Sequence, residues 1–363
     1  MGLTFEPLGK YVRLVDERNT DMVTESVLGI NIDKYFMPSV ANVIGTDLSN
    51  YKLLRKGRFA CNPMHVGRDG RLPVSRYTED VPAIVSPAYF MFEIIDENEI
   101  ESEYLMLCFR RPDFDRMCWF RTDASVRGGI TWEDVCALTI PVPPISEQRK
   151  IVHDYQVITD RIELLRKMNE NLENQGIALL QDKVANSDRV LSVDDVVILF
   201  DSMRKPVSGA DRVNLAKIYP YYGAAALMDY IDEYIFDGIY GLIAEDGSVM
   251  DDDGHPTMQY VWGKFWVNNH AHIFQGKNGF STETVYLLLK TAVIRDIVTG
   301  AVQLKVNQEN LRSFKIAVPE EEHMDDIEST IQPLFSLIRT NANEIERLSK
   351  LADLQLATIS KGA

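Results

Sequence analysis

The chain has few of the features that mark several large protein classes. Only four of its 363 residues are cysteine, and none of them stands in a C-x-x-C spacing, which favours buried reduced thiols over disulfides or zinc ligands. No apolar run approaches the roughly 18 residues that a membrane helix needs, and the first residues lack the basic and apolar stretches of a signal peptide. A cytoplasmic protein without a membrane segment is expected.

Signature motifs of catalysis and phosphate binding are also missing. The sequence contains no G-x-x-x-x-G-K-[ST], G-x-G-x-x-G, G-x-S-x-G or H-E-x-x-H. Residues 61–64 share only part of the N-P-P-[FY] loop of amino-group DNA methyltransferases, so a turn after a strand is the favoured interpretation. His270 and His272 have no obvious third metal ligand and are interpreted as hydrogen-bonded structural residues. We expect a non-catalytic chain that holds no cofactor and no metal.

Cations are scarce as well, since the net charge is −16 and no long segment is net basic. This balance disfavours a nucleic-acid partner, although basic residues that cluster on one face can outweigh distant acids. In residues 1–143, twelve of the sixteen basic residues are arginine, which binds phosphate groups and guanine edges through two parallel hydrogen bonds.

An internal repeat is the most informative feature that is present. Residues 130–144 align without a gap to residues 306–320, at an offset of 176. Identical residues match at Glu133 and Glu309, Ile140 and Ile316, Val142 and Val318, and Pro143 and Pro319. Each copy is followed by a long helical stretch. A duplicated unit of globular part plus long helix predicts pseudo-twofold symmetry and two similar binding surfaces.

The two helical stretches carry apolar residues at alternating steps of four and three, which predicts a helix-pair seam. Its members are Ile151, Tyr155, Ile158, Ile162, Leu165, Leu172, Ile327, Ile331, Leu334, Ile338, Ile345 and Leu348. Asn169 and Asn341 interrupt the seam, and Pro333 should bend the second helix or end its first segment. Antiparallel pairing within the chain is favoured over a parallel pair and over a homo-oligomeric coiled coil.

The rest of the chain is expected to form two mixed α+β domains. Residues 82–95 predict one or two strands, residues 190–200, 234–244 and 259–267 predict strands, and residues 282–297 predict a helix. The predicted organisation is a first domain over 1–142, a helix over 143–186, a second domain over 187–319 and a final helix over 320–363.

Several segments, in this order, resemble the specificity subunit of type I restriction–modification systems. Residues 140–152 resemble the proline-led start of that family's central helix, and residues 171–180 resemble its far end. Residues 221–238, 259–272 and 299–311 resemble a common form of its recognition domain. The first domain is more divergent, and residues 320–324 replace the second proline and the Glu-Gln pair of the helix start.

The resemblance implies an α+β fold in which two pseudo-twofold-related target recognition domains are separated by an antiparallel pair of long helices, a coiled coil. It implies that each domain reads one half of a split double-stranded DNA target, and that the helices set the number of unread base pairs. Such a subunit of bacterial defence is not catalytic. It binds methyltransferase subunits that use S-adenosylmethionine and restriction subunits that use ATP and Mg²⁺.

Candidate DNA contacts combine the arginine-rich loops of the first domain with polar groups of the second. They are Arg55, Arg58, Arg68, Arg71, Arg127, Tyr221, Tyr222, Gly223 and Lys305. An acidic two-domain protein adaptor that never touches DNA is the alternative, and a self-sufficient nuclease or methyltransferase is disfavoured because the cofactor motifs are missing.

Overall fold

A computed structural model describes residues 4–41, 43–64, 66–122, 128–300 and 303–359. The chain divides into two compact units, one formed by Met1–Glu163 with Ile345–Ala363 and the other by Leu164–Glu344. Two long helices, α5 (Ile145–Ala185) and α10 (Met324–Ile359), contribute residues to both units. None of the helices described is both long enough and apolar enough to cross a membrane.

Besides its parts of α5 and α10, the described residues of the first unit form ten short strands and four short α-helices. Its strands are β1 (Phe5–Pro7), β2 (Val12–Leu14), β3 (Val27–Ile30), β4 (Phe36–Pro38), β5 (Lys52–Leu54), β6 (Phe59–Cys61), β7 (Val74–Arg76), β8 (Ala83–Val85), β9 (Phe90–Ile94) and β10 (Thr139–Pro141). Its helices are α1 (Val66–Asp69), α2 (Ser102–Arg110), α3 (Pro112–Phe120) and α4 (Trp132–Ala137). The strands form a sheet in the order β2-β9-β6-β7, another in the order β4-β3-β8-β5, and the pair β1-β10.

The second unit contains one larger sheet in the order β12-β17-β15-β16-β13-β14, with the pairs β11-β20 and β18-β19 beside it. Its strands are β11 (Val190–Ser192), β12 (Val197–Leu199), β13 (Tyr219–Tyr222), β14 (Leu227–Ile231), β15 (Phe236–Ala244), β16 (Met258–Val267), β17 (Ala271–Gly276), β18 (Val298–Thr299), β19 (Lys305–Val306) and β20 (Lys315–Ala317). Its helices are α6 (Val193–Val196), α7 (Gly209–Arg212), α8 (Thr282–Lys290) and α9 (Gln308–Ser313).

The repeat seen in the sequence is a repeated piece of structure. Helix α4 and strand β10 recur as α9 and β20 with both bounds shifted by 176 residues. Thr131 caps α4 and Asn307 caps α9, in each case by accepting the N–H of the third residue further on. In both units the strand before the long helix pairs antiparallel with the first strand of that unit, β1 or β11.

A polar side chain, buried Gln148 or half-buried Glu328, attaches each long helix to its globular part. Gln148 of α5 accepts the backbone N–H of Glu101, the N-cap of α2, at 2.9 Å. Glu328 of α10 accepts the backbone N–H of Ser281, the N-cap of α8, also at 2.9 Å. These N–H groups have no hydrogen-bond partner inside their own helices, so the contact satisfies them. It also fixes the N-terminal end of each long helix.

Within the second unit, α5 and α10 pair antiparallel, as predicted, because Gly176 lies against Leu334 and Asn169 against Asn341. In the second unit, Asn169 pairs with Asn341 at 2.8 Å and donates to the carbonyl of Ile338 at 3.3 Å. None of the twelve seam residues is exposed. Ile162, Leu165, Ile327 and Ile331 are buried and the remaining eight are half-buried.

The structure corrects several expectations on individual elements. Residues 190–200 are two strands separated by α6 rather than one strand. The helix predicted over 282–297 ends at Lys290, and a 3-10 turn follows at Arg295–Ile297. Pro333 does not end α10, which continues on both sides of it. Residues 82–95 form two strands, while 234–244 and 259–267 correspond to β15 and β16.

Candidate nucleic-acid interface

Arg55 and Arg58 lie in the turn between β5 and β6, and both are engaged by the same carboxylate. The Arg55 guanidinium is 2.7 Å from Glu17 and half of its side chain is exposed. Arg58 is 2.6 Å from the other oxygen of Glu17, is 15% exposed, and donates to the carbonyl of Leu53. Arg58 therefore holds the turn closed and offers less surface to a duplex than Arg55 does.

Arg68 and Arg71 are exposed, but each is also paired. Arg68 forms an ion pair with its neighbour Asp69 at 2.7 Å, and Arg71 with Asp33 at 3.0 Å. Both guanidinium groups remain more than half exposed, so they can exchange a carboxylate partner for another anion. Arg127 lies outside the described residues.

The aromatic group predicted in the second domain is mostly buried. Tyr221 is 1% exposed, its hydroxyl accepts the backbone N–H of Val207, and its ring lies 4.7 Å from the Arg212 guanidinium. Gly223 is buried against the side chain of Met228. The predictions for Tyr221 and Gly223 are wrong, because neither has a surface that a duplex could reach. Tyr222 is half-buried, and burial raises the pKa of its hydroxyl.

Lys305 lies on β19 at the edge of a buried network of charged side chains. Its ammonium is 3.0 Å from Glu245, whose other oxygen is 2.6 Å from Arg204. Burial alone raises the pKa of Glu245, but the hydrogen bonds from Arg204 and Lys305 outweigh it and leave that pKa below its usual value. Half of the Lys305 side chain remains exposed. The positive charge of Lys305 therefore stays near the surface although it is paired with Glu245.

His272 and Asp201 form the inner part of the same network. The two side chains are 2.6 Å apart, and the second ring nitrogen of His272 is 2.8 Å from the carbonyl of Val306. Both ring nitrogens of His272 therefore lie within hydrogen-bond distance of an oxygen atom. Asp201 also accepts the N–H of Ile273 at 3.0 Å and the amide of Gln308 at 2.9 Å. This cluster joins β17, β19 and α9 to the turn that carries Asp201.

Asp201, Glu245 and His272 are close enough to share a metal ion, but their chemistry fits an internal network better. Arg204 and Lys305 already bring two positive charges to the two carboxylates, and both nitrogens of His272 are occupied. His270 is exposed and lies 2.8 Å from Asp246. Both histidines are therefore hydrogen bonded, in agreement with the sequence interpretation.

Residues 62–64 form the turn that the sequence predicted after β6, and the side chain of Asn62 closes it by accepting the N–H of Met64.

Two arginines that the sequence analysis did not select differ from the ion-paired arginines described above. Arg110 and Arg116 are exposed, and neither forms an ion pair or a side-chain hydrogen bond with any residue that the structure describes. No local pattern separates them from the paired arginines, because a partner such as Glu17 lies 38 residues from Arg55.

Comparison with known proteins gives a family for the second half of the chain and a fold for the whole. Residues 190–350 match the family model described as the type I restriction modification DNA specificity domain. A Haemophilus influenzae protein named as a type I restriction enzyme specificity subunit is 31% identical over 145 residues, which are 40% of this chain and 37% of that protein. The alignment thus spans little more than a third of that relative.

A crystal structure of the S subunit of a type I restriction–modification system from M. genitalium is similar along nearly the full length. The TM-score is 0.56 at 13% identity, over 99% of this chain and 96% of that chain. Residues 190–350 thus match the type I DNA specificity domain family, and the chain as a whole is similar in fold to the M. genitalium structure.

Proposed function

We propose that the chain is the specificity subunit of a type I restriction–modification complex and that each of its two units reads one half of a bipartite double-stranded DNA target. The observation that carries this proposal is the repeated frame. The segment that matches a DNA specificity domain contains α9 and β20, and these recur in the first unit as α4 and β10 at the same offset of 176 residues.

Partners and cofactors follow from the proposed role. The chain would bind methyltransferase subunits that carry S-adenosylmethionine, and restriction subunits that use ATP and Mg²⁺, while having no catalytic site of its own. Its location would be the cytoplasm, where genomic DNA is accessible. The long helices α5 and α10 would set the number of base pairs left unread between the two halves of the target.

The main objection is the net charge of −16, which fits the alternative of an acidic protein adaptor. Two observations favour DNA. The matched family model describes a DNA specificity domain, and the exposed arginines of the first unit include two that carry no carboxylate among the described residues. Methyltransferase subunits would supply further positive charge around a bound duplex.

Mapping adenine methylation across a genome that carries this chain and its methyltransferase tests the proposal. The expected result is a split motif. Replacing residues 1–142 with those of a related chain should change one half of the motif, and replacing residues 187–319 should change the other half. Methylation at a continuous motif, or no dependence of the motif on either segment, would contradict the proposed function.

A further inference from the structure

The corner between α2 and α3 in the first unit contains a basic cavity, which is separate from the charged network around Asp201 and His272. The cavity has a volume of about 370 Å³. It is lined by the cations Lys34, Arg71, Arg110 and Arg116 and by the carboxylates Asp33 and Asp115. The lining therefore carries an excess of two positive charges in a chain whose net charge is −16.

A buried ion pair forms the floor of this cavity. Lys34 lies 2.6 Å from Asp115, and their side chains are 4% and 11% exposed. Asp115 also accepts the backbone N–H of Leu72 at 3.1 Å. These contacts attach α3 to the loops before β4 and β7. Because these buried contacts hold α3 in place, the exposed arginines of the cavity lie on a rigid part of the fold.

Arg110 and Arg116 are the cations of the corner that remain available. Of the twelve arginines in residues 1–143, nine form an ion pair with a carboxylate, and Arg127 lies outside the described residues. Arg110 and Arg116 complete the twelve, and neither has such a partner among the residues described. An exposed, unpaired guanidinium binds a phosphate group through two parallel hydrogen bonds without first breaking an ion pair.

An exposed aromatic pair continues the same surface. Phe120 is 78% exposed and Trp119 is 48% exposed, with their ring centroids 5.2 Å apart. The Trp119 indole donates to the carbonyl of Gly67 at 3.1 Å, which anchors it. Phe120 follows Arg116 by one helical turn, so the two side chains lie on one face of α3. Arginine next to an exposed aromatic ring is typical of surfaces that contact nucleic acid.

We propose that this corner, defined by Arg110, Arg116 and Phe120, binds the backbone of double-stranded DNA in the first half of the target. Arg110 and Arg116 bind phosphate groups and position the duplex, and Phe120 packs against sugar or base edges. The assignment rests on the proposed function and adds to it the residues that grip DNA in the first unit. None of the three was among the contacts that the sequence analysis selected.

The test is binding of the full chain to a fluorescently labelled duplex of mixed sequence over a series of salt concentrations. Each phosphate contact contributes about −0.9 to the slope of log K against log salt concentration. The variant Arg110→Gln/Arg116→Gln should therefore lower the magnitude of this slope by about two and weaken binding at low salt by about tenfold or more. Arg110→Lys/Arg116→Lys should restore the slope, because charge alone determines it.

Two further variants separate charge from contact. Lys10→Gln/Arg13→Gln removes the same two charges from exposed, carboxylate-paired side chains of the first unit and should leave the slope unchanged. Phe120→Ala should weaken binding by about fivefold without changing the slope, because the ring carries no charge. Circular dichroism and thermal melting should match the wild type for all four variants, since every substituted side chain is exposed.

The outcomes are distinguishable from failure of the proposed function. If the wild-type chain binds the duplex and Arg110→Gln/Arg116→Gln retains its full slope, the corner is not a DNA contact, although the chain still binds DNA. If the wild type binds no duplex at any salt concentration, either alone or with methyltransferase subunits added, the proposed function fails and this assignment fails with it. Displacement of the duplex by inorganic phosphate beyond its effect on ionic strength would assign the corner to a free anion. Binding of polyglutamate that is lost in the double variant would assign it to an acidic protein.

Discussion

Asp201 illustrates how a buried charge is used in this chain. Its carboxylate is 2.6 Å from His272 and accepts two further hydrogen bonds. Burial alone raises the pKa of Asp201, but the hydrogen bond and charge of His272, with the N–H of Ile273, outweigh it and leave that pKa below its ordinary value. Removing this charge leaves the ring of His272 buried without its main partner.

We expect Asp201→Asn to lower the free energy of unfolding by about 3 kcal/mol at pH 7. Removing one member of a buried pair leaves the desolvation cost of the other member uncompensated. A lowered pKa in the folded state contributes stability above the ordinary aspartate pKa of about 4, and this contribution is lost as the pH falls through the lowered value. Urea denaturation between pH 7 and pH 3 should therefore show the gap between wild type and variant narrowing below about pH 4.

Asp194→Asn is the matched control for this measurement. Asp194 is half exposed and pairs with Arg312 at 3.2 Å, and surface pairs of this kind contribute about 1 kcal/mol at most. Equal losses in the two variants would mean that the buried network adds nothing beyond an ordinary surface ion pair.

Gly241 is a position where a side chain has no room. It lies in the centre of β15, opposite Phe274 of β17, and a methyl group at this position would overlap the Phe274 ring. We expect Gly241→Ala to cost about 1–3 kcal/mol in unfolding free energy, as overpacking of a core does. Gly29→Ala on β3 is the control, because its nearest neighbour would be 4.0 Å away, and a similar loss there would contradict the packing argument.

At the scale of elements, the sequence predicted the long helices well and the short elements poorly. The seam repeats over many turns, so an error at one position does not change the prediction. The segment 190–200 reads as one apolar strand, but Ser192 and Asp195 form a capping box that starts α6 in its middle. Tertiary contacts determine whether such short segments form strands or helices. They also decide ion pairs such as Arg55 with Glu17 and Arg71 with Asp33, whose members lie 38 residues apart in the sequence.

The two asparagines of the seam show a further limit of the sequence. Each was predicted to interrupt the apolar seam of its helix, and the structure pairs Asn341 with Asn169 at 2.8 Å. A polar pair at this position fixes the register of two helices at some cost in stability. The repeat does not indicate this pairing, because the offset of 176 relates Asn169 to Ile345 and Asn341 to Leu165.

We expect Asn341→Leu alone to cost about 1–2 kcal/mol, because it leaves the amide of Asn169 without its partner inside the helix pair. The double variant Asn169→Leu/Asn341→Leu should recover this loss, since no polar group then remains unpaired. Unfolding midpoints in urea give the double-mutant cycle. Asn343→Leu, on the exposed face of α10, should change the unfolding free energy by less than about 0.5 kcal/mol, and additive effects in the cycle would argue against coupling.

For the whole molecule, the proposed binding of DNA has to be reconciled with a net charge of −16. Local excess of positive charge, as in the cavity at Arg110 and Arg116, acts over about a Debye length, roughly 10 Å at 0.1 M salt. More distant acids are screened at that ionic strength. At low salt they should instead repel the duplex and limit the affinity of the isolated chain.

We expect the isolated chain to bind DNA weakly, with an affinity that falls as the salt concentration rises, and the affinity to increase when methyltransferase subunits are added. Their basic surfaces would offset the acidic balance of the chain and add phosphate contacts, which steepens the slope of log K against log salt concentration. Titration of a duplex with the chain alone and with the assembled complex measures both quantities. Weak, salt-insensitive binding that the added subunits leave unchanged would count against this expectation.

Gln148 is fully buried, and besides accepting the Glu101 N–H it donates to the carbonyls of Glu99 and Pro143. The first turn of α5 therefore cannot fray without exposing the start of α2, and Glu328 couples α10 to α8 in the same way. Deuterium uptake at these helix starts should consequently follow the opening of the surrounding core rather than the rapid exchange usual at helix ends.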